Sequence, residues 1–173
     1  MKNIFALLTL VAFSISSNLY GQEEILDYAR EGELKDIRLL LNENPEAANY
    51  TNDKGFSPLI LAAYHGQKKA VKLLLEMGAK VNYAYHQGTA LHASVFKGEI
   101  EIVKMLLEKG ASINFQDENG STALHYAIIY NKEQISRLLI EKGADFNLAD
   151  NSSKSAKNYA EEFLRYELIE IMQ

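Results

Sequence analysis

Three stretches of this chain repeat one pattern: Gly55-Phe-Ser-Pro-Leu-Ile-Leu-Ala-Ala, Gly88-Thr-Ala-Leu-His-Ala-Ser and Gly120-Ser-Thr-Ala-Leu-His-Tyr-Ala. Their leucines Leu59, Leu91 and Leu124 stand 32 and 33 residues apart. Gly78-Ala79, Gly110-Ala111 and Gly143-Ala144 keep the same step, each closing a run of the type Leu-Leu-Leu-Glu-x-Gly-Ala. Self-similarity at this period means a solenoid. One such unit cannot bury its apolar face alone, so neighbours must stack on it. That fixes the fold class and turns the functional argument from catalysis towards binding.

The chain has 173 residues, 47% of them hydrophobic, enough for one domain with a continuous core. It contains no cysteine, which removes disulfides, thiolate metal sites and cysteine nucleophiles. The formal net charge is −5 with the signs interspersed, and no basic cluster tracks a phosphate backbone. Nucleic acid is therefore not an expected partner.

Residues 1–21 stand apart from the repeats. Met1-Lys2-Asn3 is a short positive start, and Ile4 to Ile15 is an apolar run broken only by Thr9 and Ser14. A polar stretch, Ser16-Ser17-Asn18-Leu19-Tyr20-Gly21, follows. This order of regions reads as a secretory signal peptide, too short to span about 30 Å of hydrocarbon. Cleavage after Gly21 leaves Gln22 first, while Ser14-Ile15-Ser16 offers a second site of the small-x-small shape. An uncleaved anchor or a hydrophobic first helix is the alternative. No cysteine follows the run to carry a lipid. The expectation is a periplasmic or secreted protein with no stable membrane anchor after cleavage, its folded domain running over 22–173.

Within each unit a capped short helix, a tight turn and a second helix precede a long excursion. Ser57 is placed to cap the first helix, with Pro58 at its first position, where a missing N–H costs nothing. Thr89 and Thr122 repeat the cap. Gly66, Gly98 and Asn131 then stop these helices, all being residues that tolerate the left-handed conformation. Second helices are predicted over about 68–76, 99–108 and 132–141. Their apolar residues, such as Ile102, Val103, Leu106 and Leu107, recur at helical spacing and form one buried stripe.

These residues resemble the ankyrin repeat family. Its signature, Gly-x-Thr-Pro-Leu-His-x-Ala-Ala-x-x-Gly followed by Ile-Val-x-Leu-Leu-Leu-x-x-Gly-Ala-x-Val-Asn, is matched by three units over 52–147. Degenerate units flank them, with Tyr28-Ala29-Arg30-Glu31-Gly32 upstream and Ser155-Ala156 opening the last unit downstream. The resemblance implies an all-α repeat solenoid. It would be a helix-turn-helix stack with short β-hairpin fingers, three full repeats and two degenerate capping repeats. Units fall at about 22–51, 52–84, 85–116, 117–149 and 150–173. Two departures stand out: the loop before Thr89 is one residue shorter than the loop before Thr122, and Leu164 occupies a glycine position.

The resemblance also implies a concave face built from first helices and fingers, with a protein partner bound there. Residues just before each first-helix stop would face it: Arg30-Glu31, Tyr64-His65, Phe96-Lys97, Ile129-Tyr130 and Glu162-Phe163. Fingers add Asp53, Lys54 and Phe56, then Tyr83, Tyr85 and His86, then Phe115, Glu118 and Asn119. The candidate partner-binding set is Tyr64, His65, Phe96, Lys97, Ile129, Tyr130, Phe163, Phe56, Tyr85, His86, Glu118 and Asn119. Tyrosine-rich surfaces of this kind suit binding hot spots. Tyr64, Phe96 and Tyr130 are expected along one groove at the roughly 10 Å spacing of packed helices. Tyr126, Tyr159 and Phe115 are expected to pack against the next unit instead.

Nothing local marks an active site. His92 and His125 hold the position where the family uses histidine to tie neighbouring loops. His65 and His86 fall at variable surface positions, and no two histidines stand at i, i+4 with a carboxylate. No nucleophile elbow, phosphate loop or dinucleotide fingerprint occurs. The expectation is an exported, non-catalytic, monomeric interaction module without cofactor or metal. One version is an inhibitor or immunity protein against a toxin or lytic enzyme. Another is an accessory or chaperone-like factor for an envelope or oxidative-stress enzyme. An enzyme with a non-local active site is the alternative of a different class.

Overall fold

Helices in this protein come in pairs, and a side-chain oxygen opens the first helix of most pairs. The computed structural model describes residues 23–172, so the expected export segment lies outside the described residues. Within them, helix α1 (residues 23–31) pairs with α2 (Leu34–Glu43), and α3 (Pro58–Tyr64) with α4 (Lys68–Glu76). Helix α5 (Ala90–Lys97) pairs with α6 (Ile100–Glu108), α7 (Ala123–Ile129) with α8 (Glu133–Glu141), and α9 (Ala156–Glu162) with α10 (Tyr166–Ile171). A 3-10 helix, Pro45–Asn49, follows α2 and leads into the first finger.

The hydroxyl of Ser57 accepts from Ile60 N at 3.3 Å, with Pro58 at the first helical position. Thr89, Thr122 and Ser155 each form a reciprocal capping box with the residue three places on, His92, His125 and Asn158. At the far ends Gly98 lies at φ 87° and Asn131 at φ 54°, the left-handed stop expected of them.

Two layers result. First helices are short and buried almost all round: Leu59, Ile60, Ala62 and Ala63 in α3 and Leu91 and Val95 in α5 are nearly inaccessible. Alanines at these places let adjacent units approach closely, and α3, α5, α7 and α9 pack in series. Second helices bury one stripe, Val71 and Leu74 in α4, Ile102, Val103 and Leu106 in α6, and Ile135 and Leu139 in α8. Each fully buried leucine or isoleucine contributes about 1.5–3 kcal/mol of transfer free energy.

An asparagine ladder runs along the outer turns. Asn49 Nδ2 donates to the Gly78 carbonyl at 3.0 Å, and its Oδ1 accepts from Lys80 N at 2.8 Å. Asn82 does the same with Gly110 and Ser112, at 3.0 and 2.7 Å. Asn114 accepts from Asp145 N at 2.8 Å. Each of these bonds satisfies backbone groups at the end of the next unit's second helix.

Fingers close in two ways. In three of them a side-chain carbonyl or carboxylate accepts two backbone N–H groups: Asn52 from Lys54 and Phe56, Asp117 from Asn119 and Ser121, Asp150 from Ser152 and Lys154. The finger before α5 is the short one, and it closes by strand pairing. Strand β1 (Ala84–Tyr85) runs antiparallel to β2 (Gly88–Thr89), with Ala84 opposite Thr89 and Tyr85 opposite Gly88. Gly88 sits at φ 95°, where a Cβ would fall 2.6 Å from the His92 ring. The longer fingers carry a backbone bond beside their side-chain brace, whereas the short one closes on backbone pairing.

Candidate functional site

Between the inner helices and the fingers the central units enclose a cleft of about 380 Å³. Its helix wall carries Tyr64, Phe96, Tyr126 and Tyr130, and its finger wall carries Tyr85, Gln87 and Asn119. Tyr64 stacks on Phe96 with centroids 6.1 Å apart and planes 13° from parallel. Phe96 meets Tyr130 edge to face at 4.8 Å, and Tyr126 lies 5.8 Å from Tyr130. Tyr64 and Tyr130 remain 38% and 47% exposed, while Phe96 is half-buried between them. The three rings do run along one groove. They sit closer than the helix spacing predicted, because the side chains lean across the gap between units and touch.

The finger wall is fixed by polar contacts. Asp117, 8% exposed, accepts from Asn119 N and Ser121 N at 2.9 Å each through Oδ1. Its Oδ2 accepts the Tyr126 hydroxyl at 2.8 Å. Burial and this carboxylate push the Tyr126 phenol pKa far above its ordinary value, so the phenol stays protonated. Tyr85 donates to Gln87 Oε1 at 2.9 Å and packs on Phe56, 4.8 Å between centroids. The Tyr83 hydroxyl reaches the Gly55 carbonyl at 3.1 Å, tying two fingers.

Of the candidate residues, Tyr64, Phe96, Tyr130, Tyr85 and Asn119 come together in the cleft. Lys97 reaches over the rim, its Nζ 4.9 Å above the Tyr64 ring. His65 stands edge-on to Tyr64 at 5.3 Å, and its pKa is lowered by burial and by Arg30 and Lys97. Phe56 backs the cleft through Tyr85. His86 and Glu118 pair with each other across adjacent fingers, joined also by a backbone bond from Glu118 N to the His86 carbonyl at 3.3 Å. Ile129 and Phe163 are exposed and do not line the cleft; Phe163 stacks on Tyr159 instead.

Tyr126 plays both parts. Its ring packs edge-on to His92 of the preceding unit at 5.5 Å, rather than against the next unit as expected, and it also lines the cleft. Gln87, in the turn between β1 and β2, was not legible as a site residue, yet it lines the cleft and accepts from Tyr85. Tyr159 repeats the Tyr126 contact, donating to Asp150 Oδ2 at 2.8 Å. His92 and His125 are buried ties between units, and His92 also backs the cleft. Among the described residues, no group of three or more histidines and carboxylates is arranged to hold a metal ion. None of the described helices is long and apolar enough to cross a membrane.

Ankyrin-repeat family models match in three overlapping copies, over residues 25–117, 84–150 and 109–172. The chain belongs to the ankyrin repeat family. The repeats make it a protein–protein interaction module, a class of fold that is generally not catalytic in itself. Similar curated proteins include a probable E3 ubiquitin-protein ligase of Oryza sativa subsp. japonica, 41% identical over 86 residues. A palmitoyltransferase of Emericella nidulans is 38% identical over 60 residues, and an oxysterol-binding protein-related protein of Rattus norvegicus 34% over 74. The matched segments cover 49%, 35% and 38% of this ankyrin chain but 17%, 8% and 8% of those relatives. What is shared is the repeat, carried within much longer proteins of unlike activity.

Proposed function

We propose that this ankyrin protein acts by docking a protein partner on the aromatic cleft of its concave face, outside the cytoplasm, as an inhibitor of an envelope or secreted enzyme or toxin. The observation that carries the docking is the continuous run of Tyr64, Phe96 and Tyr130, in mutual contact and left accessible on a surface the stack does not cover. Apolar surface of this kind marks interaction sites, and aromatic anchors concentrate binding free energy. Export rests on the apolar run from Ile4 to Ile15 behind Lys2. Inhibition is the simplest activity for a small binder built of repeats that are generally not catalytic.

The test is affinity capture from the envelope fraction of the native host, with wild-type protein and with Tyr64→Ser/Tyr130→Ser. Both replaced side chains are exposed, so the double variant should melt like wild type. A stoichiometric partner held by the wild type and lost by the variant supports the reading, as does loss of that partner's activity on binding. A partner retained equally by both places the interface elsewhere, and turnover by the purified protein refutes the non-catalytic role. N-terminal sequencing checks export, for which an intact Met1 in a cytoplasmic fraction is the contrary result.

A further inference from the structure

The aromatic cleft has a polarity that its shape alone does not suggest. Asp117 is buried beneath it and is held by Asn119 N, Ser121 N and the Tyr126 hydroxyl, all neutral donors. Among the described residues no lysine, arginine or histidine forms an ion pair with it, whereas eight pairs engage other residues. A negative charge thus lies behind the Tyr126 ring without a counter-charge. The phenol of Tyr126 spends its proton inward, on Asp117, and that of Tyr85 on the exposed Gln87, which leaves their oxygen lone pairs as acceptors. Ring faces carry negative quadrupole density, and a phenol donating to a carboxylate is richer still. A cation already rests on a ring of this wall, the ammonium of Lys97 lying 4.9 Å over Tyr64.

We propose that the cleft receives a cationic side chain of the protein partner, an arginine ahead of a lysine, laid over the Tyr64 and Phe96 rings with its charge directed at Tyr126 and Asp117. This rests on the docking reading above and specifies its chemistry. A planar guanidinium stacks on rings while its edge N–H groups reach phenol and amide oxygens, which an ammonium cannot do as well. The net charge of −5 favours the approach of a basic segment. Lys97 is then a tethered competitor for the Tyr64 face, which an incoming guanidinium displaces.

N-acetyl-arginine amide, and the lysine, leucine and glutamate amides beside it, are titrated into the full folded domain while the ring resonances of Tyr64, Phe96 and Tyr130 are followed by NMR. Arginine amide should give saturable millimolar shifts, about fivefold stronger than leucine amide, with glutamate amide silent. Lys97→Met should tighten arginine severalfold. Asp117→Asn should weaken it by about fivefold while leaving the finger closed, since Asn52 closes an equivalent finger with an amide. Leucine binding as well as arginine, glutamate binding in its place, no saturable arginine shift, or indifference to both variants overturns the proposal. Should serine at Tyr64 and Tyr130 abolish partner capture while no amide binds, docking stands and the cationic anchor falls.

Discussion

The Nε2 atom of His92 donates to the Ser121 carbonyl at 3.2 Å, linking one helix pair to the finger that precedes the next. On the other side of the ring, Nδ1 accepts from Thr89 N and from the Thr89 hydroxyl, at 3.3 and 3.1 Å. His125 repeats the arrangement with Lys154 and Thr122 one unit later. Each ring is therefore neutral with its proton on Nε2, and protonation of Nδ1 would take away the acceptor that the cap requires.

Stability should consequently fall in acid. Burial lowers both histidine pKa values below the ordinary 6.5, so the unfolded chain binds more protons than the folded one once pH drops below about 6.5. The stabilisation is fully present above that value and is lost progressively beneath it, until the folded-state pKa values are reached. His125→Asn keeps the cap, as Asn158 does for Ser155, but removes one titrating group. Urea midpoints measured at about pH 7.5 and about pH 5 should differ less for the variant than for wild type. Equal differences would show that the loss comes from elsewhere.

Asn82→Ala removes two bonds between successive units, to Gly110 and from Ser112. It leaves a carbonyl and an amide at a helix end without these partners, at a cost of about 1–3 kcal/mol. Chemical denaturation measures it, and a midpoint within error of wild type would mean that water replaces both bonds.

Leu106→Ala opens a hole in the outer layer, where Leu106 is fully buried. A loss of about 2–5 kcal/mol is expected. Because units hold each other in place, amide exchange should rise in α4 and α8 as well as in α6.

Leu164→Gly should stabilise the protein. Leu164 holds φ 54° with 62% of its surface exposed, so it bears left-handed strain for little burial. Relief of about 1–2 kcal/mol, less the extra entropy of an unfolded glycine, leaves a gain of about 0.5–1 kcal/mol. A lower melting temperature would show that the leucine side chain is anchored.

Most of the fold was legible because its signals are local. Ser57, Thr89 and Thr122 cap helices that begin one residue later, and Gly98 and Asn131 stop helices just before them. The cleft was legible only in part. Its rings could be named from their places in the repeat, but ring contacts of 4.8 and 6.1 Å depend on how side chains lean across units. The shortened finger could be counted, yet its switch to paired strands and the place of Gln87 on the cleft could not. Asn49, Asn82 and Asn114 were visible as part of a signature. Their bonds reach backbone groups 28–31 residues away, which no local pattern specifies.

That separation has a kinetic meaning. The ladder joins each unit to the one after it and to nothing more distant, so no closure of remote chain ends has to precede folding. The molecule can assemble like a zipper from any pair of adjacent units, and it should come apart from its ends inward. Asn114 makes the last rung. Beyond it α9 and α10 are held by α7 and α8, by the Arg137–Glu167 pair and by the bonds of Asn151 and Lys154 to the preceding unit, with no later unit to cover them, which makes this terminus the natural starting point for fraying.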